Sequence, residues 1–273
     1  MSDIPKYQEM GSLLMDSLKL TTYPVAVRMI RKGEDFPLGT ISAKTLFGAE
    51  VPACLTYTWC RRSGISFSLE ASDIACKPIV LYFGLARLSD PDDLHRAWEQ
   101  HGGYKCDLAA DKKSREKDVC FPFGEFQGIA LSPLPQTLFA PDLVMLFCSP
   151  LALSHLILAA TYDGECITSH FNGMESSCKE GIIRTHRTGE CQVVCPGMGD
   201  RVLAGAQDHE MIFSIPEHRL ENILDCLFKA GNKIQPPPFG MPHSTPTLGA
   251  GKILGMPAEP GVWPLLRTKL QEE

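Results

Sequence analysis

Apolar positions near the N-terminus recur at helical spacing. Met10, Leu14 and Leu18 fall on one face of Tyr7 to Leu20, which predicts an amphipathic helix. Tyr23-Pro24 stops it, because the residue ahead of a proline is pushed out of helical space. The branched run Val25–Ile30 then reads as a strand. Pro78–Leu85 (PIVLYFGL) is a short apolar run that suits a strand or a buried helix equally. Asp90-Pro91-Asp92-Asp93 has the capping carboxylate, first-turn proline and acids of a helix start, and Gly102-Gly103 closes that helix. The charge-dense stretch Lys105 to Lys117 reads as a solvated loop or short exposed helix.

The second half alternates more clearly. Leu143 to Ala160 (LVMLFCSPLALSHLILAA) is nearly long enough to cross a bilayer, but Ser149-Pro150 splits it and His155 interrupts its second part. A strand at 143–148, followed by a helix with Ser149 as cap and Pro150 in its first turn, explains the same residues. A turn at Asp163-Gly164 leads to predicted strands near Cys166–His170, Glu190–Cys195 and Met211–Ile215. Pro216–Ala230 is then a helix presenting Leu220, Leu224, Leu227 and Phe228, closed by Gly231. Beyond it lie three prolines at 236–238 and repeated Pro and Gly, read as an arm packed through Phe239, Leu254 and Trp263. The pattern predicts an α+β fold. A mixed sheet with flanking helices forms one body over 1–231, and a Pro/Gly-rich arm covers 232–273.

Composition narrows the function classes. The chain has 273 residues, 44% hydrophobic and 21% charged, which excludes a wholly disordered protein. Its net charge of −6 argues against a nucleic-acid groove, since phosphate binding needs concentrated Lys and Arg. Asp3, Lys6 and Glu9 interrupt the apolar core that a signal peptide needs, so a cytoplasmic protein with no membrane role is expected.

The 11 cysteines carry the chemistry. In a reducing compartment they mean buried thiols, metal ligands or redox groups rather than bridges. Cys54 and Cys76 sit beside prolines, Cys178 lies in the small, polar run SSCKEG, and Cys195 precedes the turn Pro196-Gly197-Met198-Gly199. Turns of this kind let a backbone wrap an ion or a cluster. Cys148 and Cys226, inside apolar patterns, read as core. No CxxC pair is present, and Cys191 and Cys195 on one strand would stand about 13 Å apart, too far to share an ion. Spacing alone therefore leaves a metal site and scattered inert thiols both open.

The turn Pro196 to Arg201 follows a predicted strand, so its backbone N–H groups at Gly197 and Gly199, with Arg201, form a candidate anion-binding site for a cofactor or small molecule. It lacks the third glycine of a dinucleotide fingerprint. The stretch Thr247 to Ile253 lacks both the leading glycine and the hydroxyl of a phosphate loop. His170, His186 and His209 lie in the same half as Cys178 and Cys195, each more simply a structural histidine than a ligand. No nucleophile elbow or HExxH pair appears, so no catalytic residue is identified.

The ordered segments PACLTYTWC, DIACKPIVLYFGL, APDLVMLFCSP, SHFNGMESSCKEG, GECQVVCPGMGDRVLAG and DHEMIFSIP resemble domain of unknown function family 169, from about Tyr23 to about Ala230. The resemblance implies that Cys54, Cys76, Cys178 and Cys195, rather than the other seven, form the site. The family's abundance in strict anaerobes and methanogens suits an oxygen-sensitive centre. This chain departs from the family at Cys76-Lys77-Pro78-Ile79, where a Cys-Pro-Gly-Gly turn is usual. Cys60, Cys106, Cys120 and Cys191 read as additions. Four thiols complete a [4Fe–4S] cluster, and a zinc site built from four cysteines has the same count without its usual close pairs. The expectation is an iron–sulfur protein of anaerobic redox metabolism, passing electrons to a protein partner or reducing a small molecule. The alternative is a non-redox module binding zinc or a small molecule.

Overall fold

The computed structural model describes residues 3–90, 93–96 and 104–230. The predicted arm at 232–273, with Phe239, Leu254 and Trp263, lies outside them, as does most of the predicted 90–103 helix, of which 93–96 are helical. Seven strands form one mixed sheet: β1 Val25–Arg31, β2 Ile41–Ser42, β3 Phe67–Glu70, β4 Phe126–Pro133, β5 Leu143–Cys148, β6 Gln192–Val194 and β7 Met211–Pro216. Their order is β2-β3-β4-β1-β5-β7-β6, and every neighbouring pair is antiparallel except β2 with β3. The α+β expectation holds.

Central strands are apolar on both faces, as the unbroken run at 143–148 requires. Leu143, Met145 and Phe147 join Val25, Val27 and Met29 in one core layer. Val144, Leu146 and Cys148 join Ala26 and Ile30 in the other. Helices cover both layers. On the second face lie α1 (Ile4–Leu18), the helix Pro150–Ala160 and the helix Glu217–Leu227. On the first lie α2 (Ala43–Phe47), α3 (Ala53–Ser63), α4 (Lys77–Tyr82) and a π-helix, Ser177–Arg184.

Local signals explain most of these elements. Lys19 ends α1 in the left-handed conformation, its N–H bonded to Met15 O. Ser149 Oγ accepts from Ala152 N, with Pro150 at the first helical position. Among the described residues, no helix is long and apolar enough to cross a membrane. The ambiguous run at 78–85 resolves as α4, and Cys148 and Cys226 are core.

Four expectations are corrected. Residues 166–170 form no strand, since Ser169 reaches β6 only through its hydroxyl, which accepts from Val193 N. The strand expected over Glu190–Cys195 is confined to Gln192–Val194, leaving Cys191 and Cys195 outside it. The charged stretch 105–117 contains a helix, Leu108–Arg115, whose Asp111 and Arg115 are buried and paired through Nε at 3.0 Å. In the last described helix Ile223 and Cys226 share the buried face with Leu220 and Leu224, while Phe228 is exposed. Helical rotation past Leu227 carries residue 228 away from the sheet.

Candidate functional site

Three of the four singled-out cysteines converge although they are distant in sequence. Cys54 is the second residue of α3, Cys76 directly precedes α4, and Cys178 is the second residue of the π-helix. All three line one cavity of about 120 Å³ on the first face of the sheet. Cys178 is buried, and Cys54 and Cys76 are half-buried. Cys195 is exposed and lines no part of this cavity. Its Sγ lies 4.0 Å from Pro196 O, one turn ahead of a short helix, Met198–Val202. Cys54 and Cys178 thus stand in helices, where the sequence suggested turns.

The supporting shell is specific. The Cys54 thiol points at Gly199 O, 3.7 Å away, and Tyr57 Oη, fully buried, lies 3.1 Å from Cys178 Sγ. Thr58 Oγ1 donates to Ala204 O at 2.7 Å, tying α3 to the segment after the Met198–Val202 helix. At the far end of α3, Arg61 grips Glu210 through two hydrogen bonds of 2.6 and 2.9 Å and stacks 4.2 Å from the Phe147 ring centroid. That anchor fixes the axis of α3 and therefore the place of Cys54. The π-helix lies close on the sheet because residue 181 is glycine: a Cβ there would meet Met145 Sδ and Ser214 Oγ at 3.3 Å. π-helical segments are rare and are found frequently at functional sites.

The cavity's lining is acidic, although Glu175 is paired from outside it with Lys179 and Arg115. Glu175 and Asp200 line it with the three thiols, and no Lys, Arg or His does among the described residues. Burial pushes the Cys54, Cys76 and Cys178 thiols up, and the neighbouring Asp200 pushes each further. Burial also raises Asp200, partly opposed by Ser177 and by the Gly197 N–H. Such a site keeps its thiols protonated when empty and favours a cation, which would reverse the penalty on each thiolate.

The predicted anion turn has a different role. Gly197 N donates to Asp200 Oδ2 at 2.9 Å, and Ser177 N and Oγ also donate to that carboxylate. The chain's own Asp200 thus occupies the nest. Of the predicted trio, Gly199 lines the thiol cavity, Gly197 packs under Ser176, and Arg201 donates to Gln207 O at 2.7 Å. Tyr57, Glu175, Ser177 and Asp200 were not singled out from the sequence. Glu175 and Asp200 do stand in the two resemblance-bearing segments around Cys178 and Cys195, the one local signal that pointed to them.

None of the three considered histidines lines the cavity. His186 packs edge-on against Phe121 and Phe126. His170 belongs to a neighbouring group, Asp118, His170 and Glu180, whose ligand atoms lie within 4.8 Å of one another. That group is already neutralised. Asp118 accepts from Lys179 Nζ at 2.6 Å and from Tyr82 and Asn172, while Glu180 accepts from Arg184. A metal there would have to displace the buried Lys179 and the half-buried Arg184, so the group reads as an ion-pair cluster.

No solved structure matches the chain. It is 23% identical over 228 residues to the uncharacterized protein MJ0308 of Methanocaldococcus jannaschii, covering 82% of this chain and 95% of that protein. Residues 13–225, which include every cavity cysteine, match the family described as Uncharacterised ArCR, and the chain belongs to that family, DUF169.

Proposed function

We propose that the cavity holds an iron–sulfur cluster of the [4Fe–4S] type, bound by Cys54, Cys76 and Cys178, and that the protein serves in anaerobic redox metabolism. The observation that carries this reading is the convergence of three soft donors and two buried acids in a cavity lined by no described cation. The donor set fits the group, because thiolates are the usual ligands of iron–sulfur clusters. When bound, the cluster supplies one-electron transfer, to a protein partner or to a small molecule at the cavity mouth. Tyr57 holds the Cys178 sulfur in place, and the Arg61 anchor on α3 holds Cys54.

Spacing favours a cluster over a single zinc ion. Three thiolates at about 2.3 Å from one zinc lie roughly 3.8 Å from one another. Among the described residues, only Asp118, His170 and Glu180 form a group of ligand atoms within 4.8 Å. A cube of four irons and four sulfides holds its thiolates further apart and suits the wider arrangement. Cys195 is exposed and does not line the cavity.

Anaerobic purification followed by an absorption spectrum and iron, zinc and acid-labile sulfide analysis tests this. The expected result is a brown protein with about four irons and four sulfides per chain. One zinc per chain without sulfide overturns it, and so does a colourless, metal-free protein after anaerobic reconstitution.

A further inference from the structure

A second cavity, of about 530 Å³, opens where the start of β5 and the end of β7 adjoin β1, and it shares no lining residue with the thiol cavity. Its volume falls in the range of small-molecule sites, roughly 300–1,000 Å³. We infer that it binds a zwitterionic ligand of the α-amino acid class, with Arg28 taking the carboxylate and Asp142 the ammonium group. This site is independent of the cluster reading. Arg28 and Asp142 both line the cavity and lie side by side in the sheet. Asp142 N donates to Val27 O at 2.8 Å and its Oδ2 accepts from Met29 N at 2.7 Å, so the carboxylate is fixed against both chain neighbours of Arg28. Even so, no ion pair joins the two charges. Arg28 has one acidic neighbour, Glu34 at 3.9 Å, and its guanidinium makes no hydrogen bond among the described residues. Asp142 Oδ1 accepts none either. The two side chains are 39% and 38% exposed, so a ligand can reach both.

Two imidazoles add unspent hydrogen-bonding groups. His186, in the short helix Thr185–Thr188 that continues the π-helix, is held edge-on by Phe121 and Phe126. Its Nε2 stands 4.0 Å from Asp142 Oδ2, too far for a hydrogen bond, and neither ring nitrogen has another partner among the described residues. Burial pushes His186 down, so near neutral pH the uncharged ring offers one donor and one acceptor. His218, exposed at the start of the last described helix, lines the cavity too. Glu217, the other acid of the lining, is already engaged, since it accepts from Tyr7 Oη. Asp142 is therefore the carboxylate with capacity left for an ammonium group. Guanidinium–carboxylate and ammonium–carboxylate contacts are the strong, charge-assisted hydrogen bonds. Opposite charges held apart across one cavity match a molecule that carries both, whereas a simple anion or cation satisfies only one.

Isothermal titration calorimetry of the full-length protein with each standard α-amino acid in turn tests the site, with the melting temperature as a second readout. At least one should bind with a Kd of about 1 mM or tighter, and its decarboxylated amine and its deaminated acid should each bind at least about tenfold more weakly. Arg28→Gln and Asp142→Asn should each weaken binding about tenfold or more, whereas Cys76→Ser, in the thiol cavity, should leave it unchanged. Asp142→Asn keeps an acceptor for Met29 N, and Arg28→Gln removes a guanidinium that makes no hydrogen bond, so both should melt near wild type. Should Asp142→Asn fail to fold, Arg28→Gln decides alone. Absence of binding by every amino acid overturns the inference, and so does equal binding of the amine or the acid, or an affinity unchanged in Arg28→Gln. Binding lost in Cys76→Ser but kept in Arg28→Gln places the ligand in the thiol cavity and overturns it equally. The cluster reading stands or falls separately, on the iron and sulfide analysis.

Discussion

Helix α3 joins two buried polar regions of opposite character. At its last turn, Arg61 is wholly buried yet meets Glu210 in a bidentate pair and lies over the Phe147 ring. At its first turn, Cys54 faces two more thiols and two acids with no cation among the described lining residues. The Asp118 cluster, a few residues from the cavity in the π-helix, resembles the Arg61 end, since Lys179 and Arg184 neutralise its carboxylates. Completed pairs of this kind hold elements together and leave nothing for a ligand. In the cavity the acids are compensated, Glu175 by Lys179 and Arg115 and Asp200 by Ser177 and Gly197, but the three thiols meet no cation among the described lining residues. That asymmetry, more than the number of cysteines, separates a binding site from a structural core.

The comparison can be broken most directly at the thiols. Serine at Cys54, Cys76 or Cys178 should each remove most of the bound iron and sulfide, whereas serine at Cys195 or Cys226 should leave both in place. Metal analysis of the five variants reads this out, and iron retained in any of the first three would dissolve the distinction. Next in size is the opposite end of α3. Glu210→Ala strands a guanidinium with no exposed surface and should cost about 3–5 kcal/mol, measured by urea unfolding of the metal-free protein.

The same pair has a pH signature. Burial works to raise the Glu210 carboxyl, but the Arg61 hydrogen bonds and charge outweigh it, so it titrates below the usual carboxylate range. A depressed folded-state value means that its stabilisation is present above roughly pH 4.3, the unfolded-chain value, and is lost as pH falls through the folded one. The stability gap between wild type and Glu210→Gln should therefore be full at pH 7 and narrow as the pH approaches 3. A gap independent of pH would show that the pair is not ionic. The smallest effect is expected at Tyr57→Phe. It removes one hydrogen bond to Cys178 Sγ, about 1 kcal/mol of stability in the metal-free protein, while iron content stays near wild type.

Much of the fold was legible because its signals are local. The Ser149-Pro150 start, the branched run at 25–30 and the apolar run at 143–148 each act within a few residues, and each element formed as expected. β4 (FQGIALSP) lay outside the predicted elements. Its glycine and proline weaken the strand pattern, yet pairing with both β1 and β3 makes it a central strand. Cys178 shows the same limit at the site. SSCKEG is small and polar in composition and reads as a turn, but it forms a π-helix whose Lys179 and Glu180 are buried by ion pairing.

What the sequence determined by itself was a subset of the elements, among them α1, β1, β5, β7 and the helices Pro150–Ala160 and Glu217–Leu227, together with the core roles of Cys148 and Cys226 and, through the family resemblance, the cysteine positions to watch. These follow from periodicity, caps and turn residues, which are properties of neighbouring positions. Only the tertiary structure decided that Cys54, Cys76 and Cys178 share a cavity, that Cys195 faces solvent, and that Asp200 fills the turn read as an anion site. Positions 54 and 178 are brought together by the packing of two helices on one sheet face. No local pattern encodes that distance, because convergence depends on the whole register of β1, β5 and β7 beneath them.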